Sequence, residues 1–182
     1  MEQNTNKELI RVVVTGPEST GKTKISDYLA MHFNALWVPE FARYYISSLR
    51  DKYTYADVET IARQQVNDYH RYSAVQGQMI IFDTWLIITK VWFQTVYNKY
   101  PVWIDEKISS LPVDLYLLCA PDIPWEPDDV RENGGETRMV LFDRYLEEIK
   151  KTGAVYHIIR GSGQERFDSA VNALNSFILT RP

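Results

Sequence analysis

The stretch Gly16-Pro17-Glu18-Ser19-Thr20-Gly21-Lys22-Thr23 decides the reading of this chain. It has the spacing G-x-x-x-x-G-K-[ST] of a phosphate-binding loop. Two glycines let the backbone turn its N–H groups inward toward phosphate oxygens. A helix beginning at the end of such a loop adds the partial positive charge of its N-terminus. Lys22 is placed to reach the outer phosphates, and the Thr23 hydroxyl to sit on Mg²⁺. The flanks agree with this. Leu9-Ile10-Arg11-Val12-Val13-Val14 reads as a buried strand ending at the loop, and Thr23 to Phe33 reads as the helix after it. Gly16, Glu18, Ser19, Thr20, Gly21, Lys22 and Thr23 are therefore the candidate nucleotide-binding residues.

Outward from the loop, the pattern repeats. Short apolar runs bounded by polar or Gly/Pro residues occur at Glu8–Thr15, Leu36–Pro39, Met79–Asp83, Asp114–Ala120 and Val155–Ile159. These read as strands buried on both faces of a sheet. Helical spacing fills the gaps, as in Val58, Ile61, Ala62, Gln65, Tyr69 and Tyr72, which follow a capping-box signal at Thr54-Tyr55-Ala56-Asp57. Gly77 is the expected stop of that helix. Strands alternating with helices predict an α/β fold: a five-stranded parallel sheet covered on both faces, in three layers, of the phosphate-loop (P-loop) NTPase or nucleoside-kinase kind. One domain over 1–182 is expected, with 1–7 a disordered tail.

Composition narrows the chemistry. The 182 residues are 45% apolar and carry a net charge of −4 without a Lys/Arg block, which argues against general nucleic-acid binding. Cys119 is the sole cysteine, so no internal disulfide is available and a reducing cytoplasm fits. No apolar run approaches the length of a membrane-spanning helix. His32, His70 and His157 are too scattered for metal spacing.

The C-terminal ends of parallel strands share one edge, and ligands bind there. Asp83, closing Met79-Ile80-Ile81-Phe82, is placed to hold Mg²⁺ beside Thr23 or, alternatively, to cap the next helix. Glu40, closing the second strand, is either the general base for an acceptor hydroxyl or a solvated acid at a helix start. The segment 121–138 is long, rich in Pro, Gly and charge, and carries Arg131 and Arg138 around the Asn133-Gly134-Gly135 joint. It reads as a lid whose arginines offset charge on a transferring phosphoryl group, or else as a surface loop. Trp125, between prolines, either anchors that loop or meets substrate. Among the other tryptophans Trp37, Trp92 and Trp103 read as core, whereas Trp85 sits at the working edge. Gly161 and Ser162, after the last strand, either pack on a nucleotide base or form a plain turn. The Asn-Lys-x-Asp signature of guanine readers is missing, and Thr84 stands where water-polarising ATPases often carry Glu.

Taken in order, the phosphate loop, Glu40-x-x-Arg43-Tyr44, Phe82-Asp83-Thr84, Pro121-Asp122-Ile123-Pro124-Trp125 with Asp128 and Arg131, and Gly161-Ser162-Gly163-Gln164-Glu165-Arg166 resemble the ribosylnicotinamide kinase domain of the NadR-type NAD-salvage proteins. The resemblance runs from about Ile10 to the last helix. It implies ATP- and Mg²⁺-dependent phosphorylation of nicotinamide riboside at its 5′-hydroxyl, giving nicotinamide mononucleotide. Members often carry an adenylyltransferase domain first, and some a DNA-binding segment. So few residues precede the first strand here that neither activity is expected. A cationic nicotinamide ring favours aromatic faces and a carboxylate. Glu40, Arg43, Tyr44, Asp83, Trp85 and Trp125 are thus the expected substrate-binding residues. Two other functions compete: a kinase for another nucleoside or small metabolite, and an ATP-binding regulatory module without turnover.

Overall fold

The structure, a computed structural model, describes residues 8–75, 77–127 and 132–181. The expected tail at 1–7 and Arg131, with Asp128, lie outside the described residues. The elements run β1 (Ile10–Thr15), α1 (Lys22–Phe33), β2 (Leu36–Val38), α2 (Phe41–Ser48), α3 (Tyr55–Ser73), β3 (Met79–Asp83), α4 (Leu86–Tyr97), α5 (Trp103–Ser110), β4 (Leu115–Cys119), α6 (Thr137–Thr152), β5 (Val155–Ile159) and α7 (Gly163–Thr180). All five expected strands are present. They form one parallel sheet in the order β2-β3-β1-β4-β5. The register pairs Val14 with Asp83 and Thr15 with Leu118, so β1, β3 and β4 end together at one edge.

Alternation of side chains sorts the strands into two cores. Val13, Ile80, Phe82, Tyr116 and Leu118 face α3, α4 and α6. Val12, Val14, Ile81, Leu115, Leu117 and Cys119 face α1 and α7. Both faces are apolar because both are covered, which is why these strands read as unbroken hydrophobic runs. Each fully buried Val, Ile or Leu contributes roughly 1.5–3 kcal/mol of transfer free energy.

The capping box opens α3 as the sequence predicts. The Asp57 amide donates to Thr54 Oγ1 at 3.4 Å, and the Thr54 amide to Asp57 Oδ2 at 2.7 Å. The buried stripe Val58, Ile61, Ala62, Gln65, Val66 and Tyr69 follows. The helix closes at Ser73, short of the expected Gly77, through a tightened last turn in which the Val75 amide donates to Tyr72 O. A charged knot ties the helices of one face together. Lys90 on α4, 7% exposed, meets Glu148 of α6 at 2.6 Å and Asp105 of α5 at 2.7 Å. Burial alone would lower the Lys90 pKa, but the two carboxylates push it up overall. None of the helices among the described residues is long and apolar enough to cross a membrane.

Candidate active site

Between β1 and α1 the chain forms a cradle whose geometry depends on its glycines. Gly16 has φ 142°, and a Cβ there would stand 2.6 Å from the Cys119 carbonyl oxygen of β4. Only a residue without a side chain lets the loop leave the sheet so close to its neighbour. Gly21 is left-handed, φ 78°, and caps α1. Inside the cradle Thr20 Oγ1 donates to Pro17 O at 2.8 Å, and Lys22 Nζ to the same oxygen at 2.9 Å, holding the ammonium over the loop.

Arg166 of α7 locks the cradle from behind. Its Nε donates to Thr20 O, its Nη2 to Ala120 O at 2.7 Å, and its Nη1 to both Gly161 O and Asp122 Oδ1. The Gly161 amide completes the cluster by donating to Asp122 Oδ2 at 3.0 Å. Gly161 and Ser162 therefore stand beside the loop, but in an Arg166-centred bracket and not on the wall of the main cleft. Sequence reading picked out the Arg166 segment and missed this bracketing role, since its partners come from three separate stretches of chain.

Asp83 ends β3 next to β1 and is 2% exposed, with both carboxylate oxygens lacking a hydrogen-bond partner among the described residues. It does not cap α4, whose N-cap is Trp85. Burial first, and the nearby Glu40 charge second, push the Asp83 pKa up to about 6, while Thr23, Lys22 and Arg43 pull the other way. A buried carboxylate short of donors, beside a threonine hydroxyl and the phosphate cradle, is a donor set suited to a hard cation such as Mg²⁺. Among the described residues no group of three His, Cys, Asp or Glu gathers to enclose a metal by itself. A cation here would take much of its shell from phosphate oxygens and water.

Glu40 precedes α2 and lines the cleft, with Arg43 Nε 3.9 Å from its Oε2. Ala42, Arg43 and Ile46 share the cleft side of α2. Tyr44 does not. It lies on the opposite side of that helix, 72% exposed, and the expectation that it binds substrate is corrected.

The same correction applies to Trp85. Thr84 adopts φ 73°, a strained value for a β-branched residue. Its amide is held by Val14 O at 3.0 Å. That reversal turns Trp85 under the sheet, 1% exposed, with its ring 5.2 Å from Tyr69 and 5.9 Å from Phe82. The aromatic residues on the cleft are instead Tyr53, on the α2–α3 connection, and Trp92 of α4. Their rings meet edge to face, centroids 4.8 Å apart. A signal for Trp92 was present: Ile88, Trp92, Thr95 and Val96 fall at helical spacing after Asp83, and all four line the cleft. No comparable signal marks Tyr53, which reaches the site only through the path of its loop.

The 121–138 segment lies against the cradle at its described ends. Glu18 takes hydrogen bonds from the Asn133 amide at 2.7 Å and from Asn133 Nδ2 at 3.1 Å. Ser19 Oγ accepts from the Glu126 amide at 2.9 Å. Glu132 accepts from the Tyr53 hydroxyl at 2.8 Å. Arg138, expected over the transferring phosphoryl group, is 6% exposed and donates to Ile123 O and Ser19 O, both at 3.0 Å. It is a clamp between segment and cradle, not a group turned into the cleft, because those buried carbonyls claim its guanidinium. Trp125 likewise turns away from the cleft. Its ring packs on Gly134, where a Cβ would come within 3.4 Å, so it pins the two ends of the segment together.

Together these parts enclose a cleft of about 550 Å³. One end is cationic and rich in backbone donors, with Gly16 to Lys24. The other is aromatic and aliphatic, with Tyr53, Ile88, Trp92, Val96 and Leu141. Glu40 and Thr84 lie on its wall as well.

Comparison with known proteins agrees with the architecture. A sequence model of the AAA domain family (AAA_28) matches residues 11–166. The trifunctional NAD biosynthesis/regulator protein NadR of Salmonella typhimurium is 25% identical over 145 residues, which is 77% of this chain and 35% of that protein. Among solved structures, a NadR protein in complex with NR superposes with a TM-score of 0.75 at 20% identity, covering 96% of this chain and 52% of that one. A NadR complex with NAD and AMP-PNP gives 0.73 at 21% identity over 96% and 51%. A deoxyadenosine kinase from M. mycoides gives 0.66 at 14% identity, over 92% of this chain and the whole of that one. The fold is thus the one shared by P-loop nucleoside kinases, and the chain is similar to the NadR proteins over most of its own length. It spans about a third to a half of the NadR chains it matches.

Proposed function

We propose that this chain, which belongs to the AAA_28 family of AAA domains, transfers the γ-phosphoryl group of ATP to the 5′-hydroxyl of nicotinamide riboside, forming nicotinamide mononucleotide. One observation carries the reading. A single cleft joins a phosphate cradle and the Glu40 carboxylate to an aromatic compartment, and the buried Asp83, its oxygens without a hydrogen-bond partner among the described residues, ends β3 beside the strand that carries the cradle. The NadR relatives support the choice of acceptor, since one of their structures holds NR and another an ATP analogue.

ATP lies with its β- and γ-phosphates on the amides of Gly16 to Thr23, and Lys22 offsets their charge. Mg²⁺, held by Thr23 and Asp83, supplies further neutralisation of the transferring group when bound. The acceptor enters from the α2–α4 side, with its ring against Tyr53 and Trp92 and its hydroxyl toward Glu40. Glu40 orients that hydroxyl and takes its proton as the bond to phosphorus forms. Arg43, paired with Glu40, fixes the carboxylate and adds positive charge near the transfer site. The 121–138 segment acts as a lid: it closes over the cradle through Glu18–Asn133 and Ser19–Glu126 and keeps water from the phosphoryl group. The reaction suits a cytoplasmic enzyme drawing on the cellular ATP pool.

The direct experiment is incubation with ATP, Mg²⁺ and nicotinamide riboside, read by mass spectrometry. A product one phosphate heavier than the riboside is expected. ADP formation only with another nucleoside in a coupled panel would move the assignment to that acceptor. Tight ATP binding without product from any acceptor would favour a regulatory module.

A further inference from the structure

We infer that Glu132 gives the acceptor end of the cleft its preference for a positively charged ring over a neutral one of the same shape. The inference rests on the nucleoside-kinase reading above and adds the property by which the acceptor is chosen. Glu132 lies on the cleft wall where Tyr53 and Trp92 meet edge to face. Its Oε2 accepts the Tyr53 hydroxyl at 2.8 Å, so the carboxylate is held in place by a neutral donor that leaves its charge intact.

Burial is the first reason that the Tyr53 hydroxyl is pushed up to about 12, and Glu132 itself adds to the rise. The phenol therefore remains a donor throughout the working pH range. The Glu132 charge also reaches Tyr97 on the far side of the same aromatic corner and raises its pKa, behind burial and Asp57.

The other carboxylates around the cleft have different attachments. Glu18 receives both donors of Asn133, Glu40 is drawn toward Arg43, and Glu126 stands by the cradle, where its amide donates to Ser19 Oγ. Of the basic residues on the cleft, Lys22 and Lys24 belong to the phosphate end and Arg43 stands with Glu40. The result is a polarity along the cleft: cationic where phosphate lies, and anionic among rings where the base lies. A cationic ring entering that corner gains the faces of Tyr53 or Trp92 and the attraction of Glu132, an exposed carboxylate whose Coulomb pull strengthens as the entering ring displaces water. A neutral ring of equal size gains the faces alone. The ligand class so selected is a nucleoside with a quaternised pyridine-type base.

The test compares nicotinamide riboside with its reduced, uncharged dihydro form as acceptors. The wild type and E132Q are assayed for kcat/KM, and binding of each riboside is followed by tryptophan fluorescence. Gln keeps the acceptor for the Tyr53 hydroxyl and removes only the charge. The wild type is expected to prefer the cation at least tenfold. In E132Q that ratio falls toward one through KM for the cation, with kcat little moved, and E132D restores much of it. Preference of equal size in wild type and E132Q, in turnover or in binding, overturns the role of Glu132. Glu132-dependent preference in binding without phosphorylation of either riboside upholds the selectivity and overturns the kinase reading.

Discussion

Lys22 is anchored to Pro17 O and packs into no core, so its removal touches charge and little else. Lys22→Ala is expected to lower kcat at least ~10²-fold while leaving the melting temperature within a few degrees; calorimetry and a coupled ADP assay check the two halves. Glu40→Gln should lower kcat ~10²–10⁴-fold with a smaller change in KM, as loss of a general base does. Asp83 makes a prediction of opposite sign for stability. Its pKa rises from 3.8 to about 6 on folding, chiefly through burial. The ionised group therefore opposes folding above pH 6, and that opposition fades as pH falls toward 3.8. In metal-free protein Asp83→Asn should stabilise at pH 7.5 by ~1–2 kcal/mol, less than the shift alone implies because the new amide is itself buried. The gain should shrink steadily in melts taken between pH 6 and pH 4. The same variant should lose Mg²⁺-dependent turnover.

At the scale of elements, the sequence was legible wherever a period or a short motif operates within one segment. The strands were found because residues buried on both faces are apolar without interruption, and α3 because Thr54 and Asp57 cap it locally. The cradle was legible because its eight residues carry their chemistry in order. What escaped were particular side-chain contacts between distant segments. Trp85 follows Asp83 directly, yet one left-handed residue, Thr84, turns it into the core. Trp92, read as core, reaches the cleft because α4 presents Ile88 and Trp92 along one side. Arg138 looked like a mobile cation because its two carbonyl partners are distant in sequence. Arg166 is the strongest case, joining the cradle, the end of β4 and the β5–α7 turn. Arg166→Ala should cost ~3 kcal/mol, since it strands Asp122 and several buried carbonyls. It should also raise KM for ATP by loosening the cradle; urea melts and steady-state kinetics separate the two effects.

Across the whole molecule, the helix layer of α4, α5 and α6 is held partly by charge. Lys90 and Glu148 are both nearly buried, with Asp105 and Lys151 extending the pair toward solvent. Removing Lys90 alone leaves Glu148 uncompensated, so Lys90→Ala should cost ~3 kcal/mol. Lys90→Met combined with Glu148→Leu should recover most of that in thermal melts. For Glu148 and Asp105 burial works upward, but the lysines and Tyr100 bring both pKa values below 4.5 and 3.8 overall. Their stabilisation is complete above those ordinary values and is lost as pH drops through the lowered ones. The contribution of Lys90, whose pKa is raised, is complete below 10.5 and disappears only in stronger alkali. The Glu18–Asn133 clasp carries a chemical clock. Asn133 is followed by Gly134, the neighbour that least hinders cyclisation of an asparagine to succinimide and its hydrolysis to aspartate. Such ageing would set one carboxylate against another where a paired amide now sits. Stored protein should gain a negative charge at this position, visible on ion exchange, and lose grip between the cradle and the 121–138 segment in step with it.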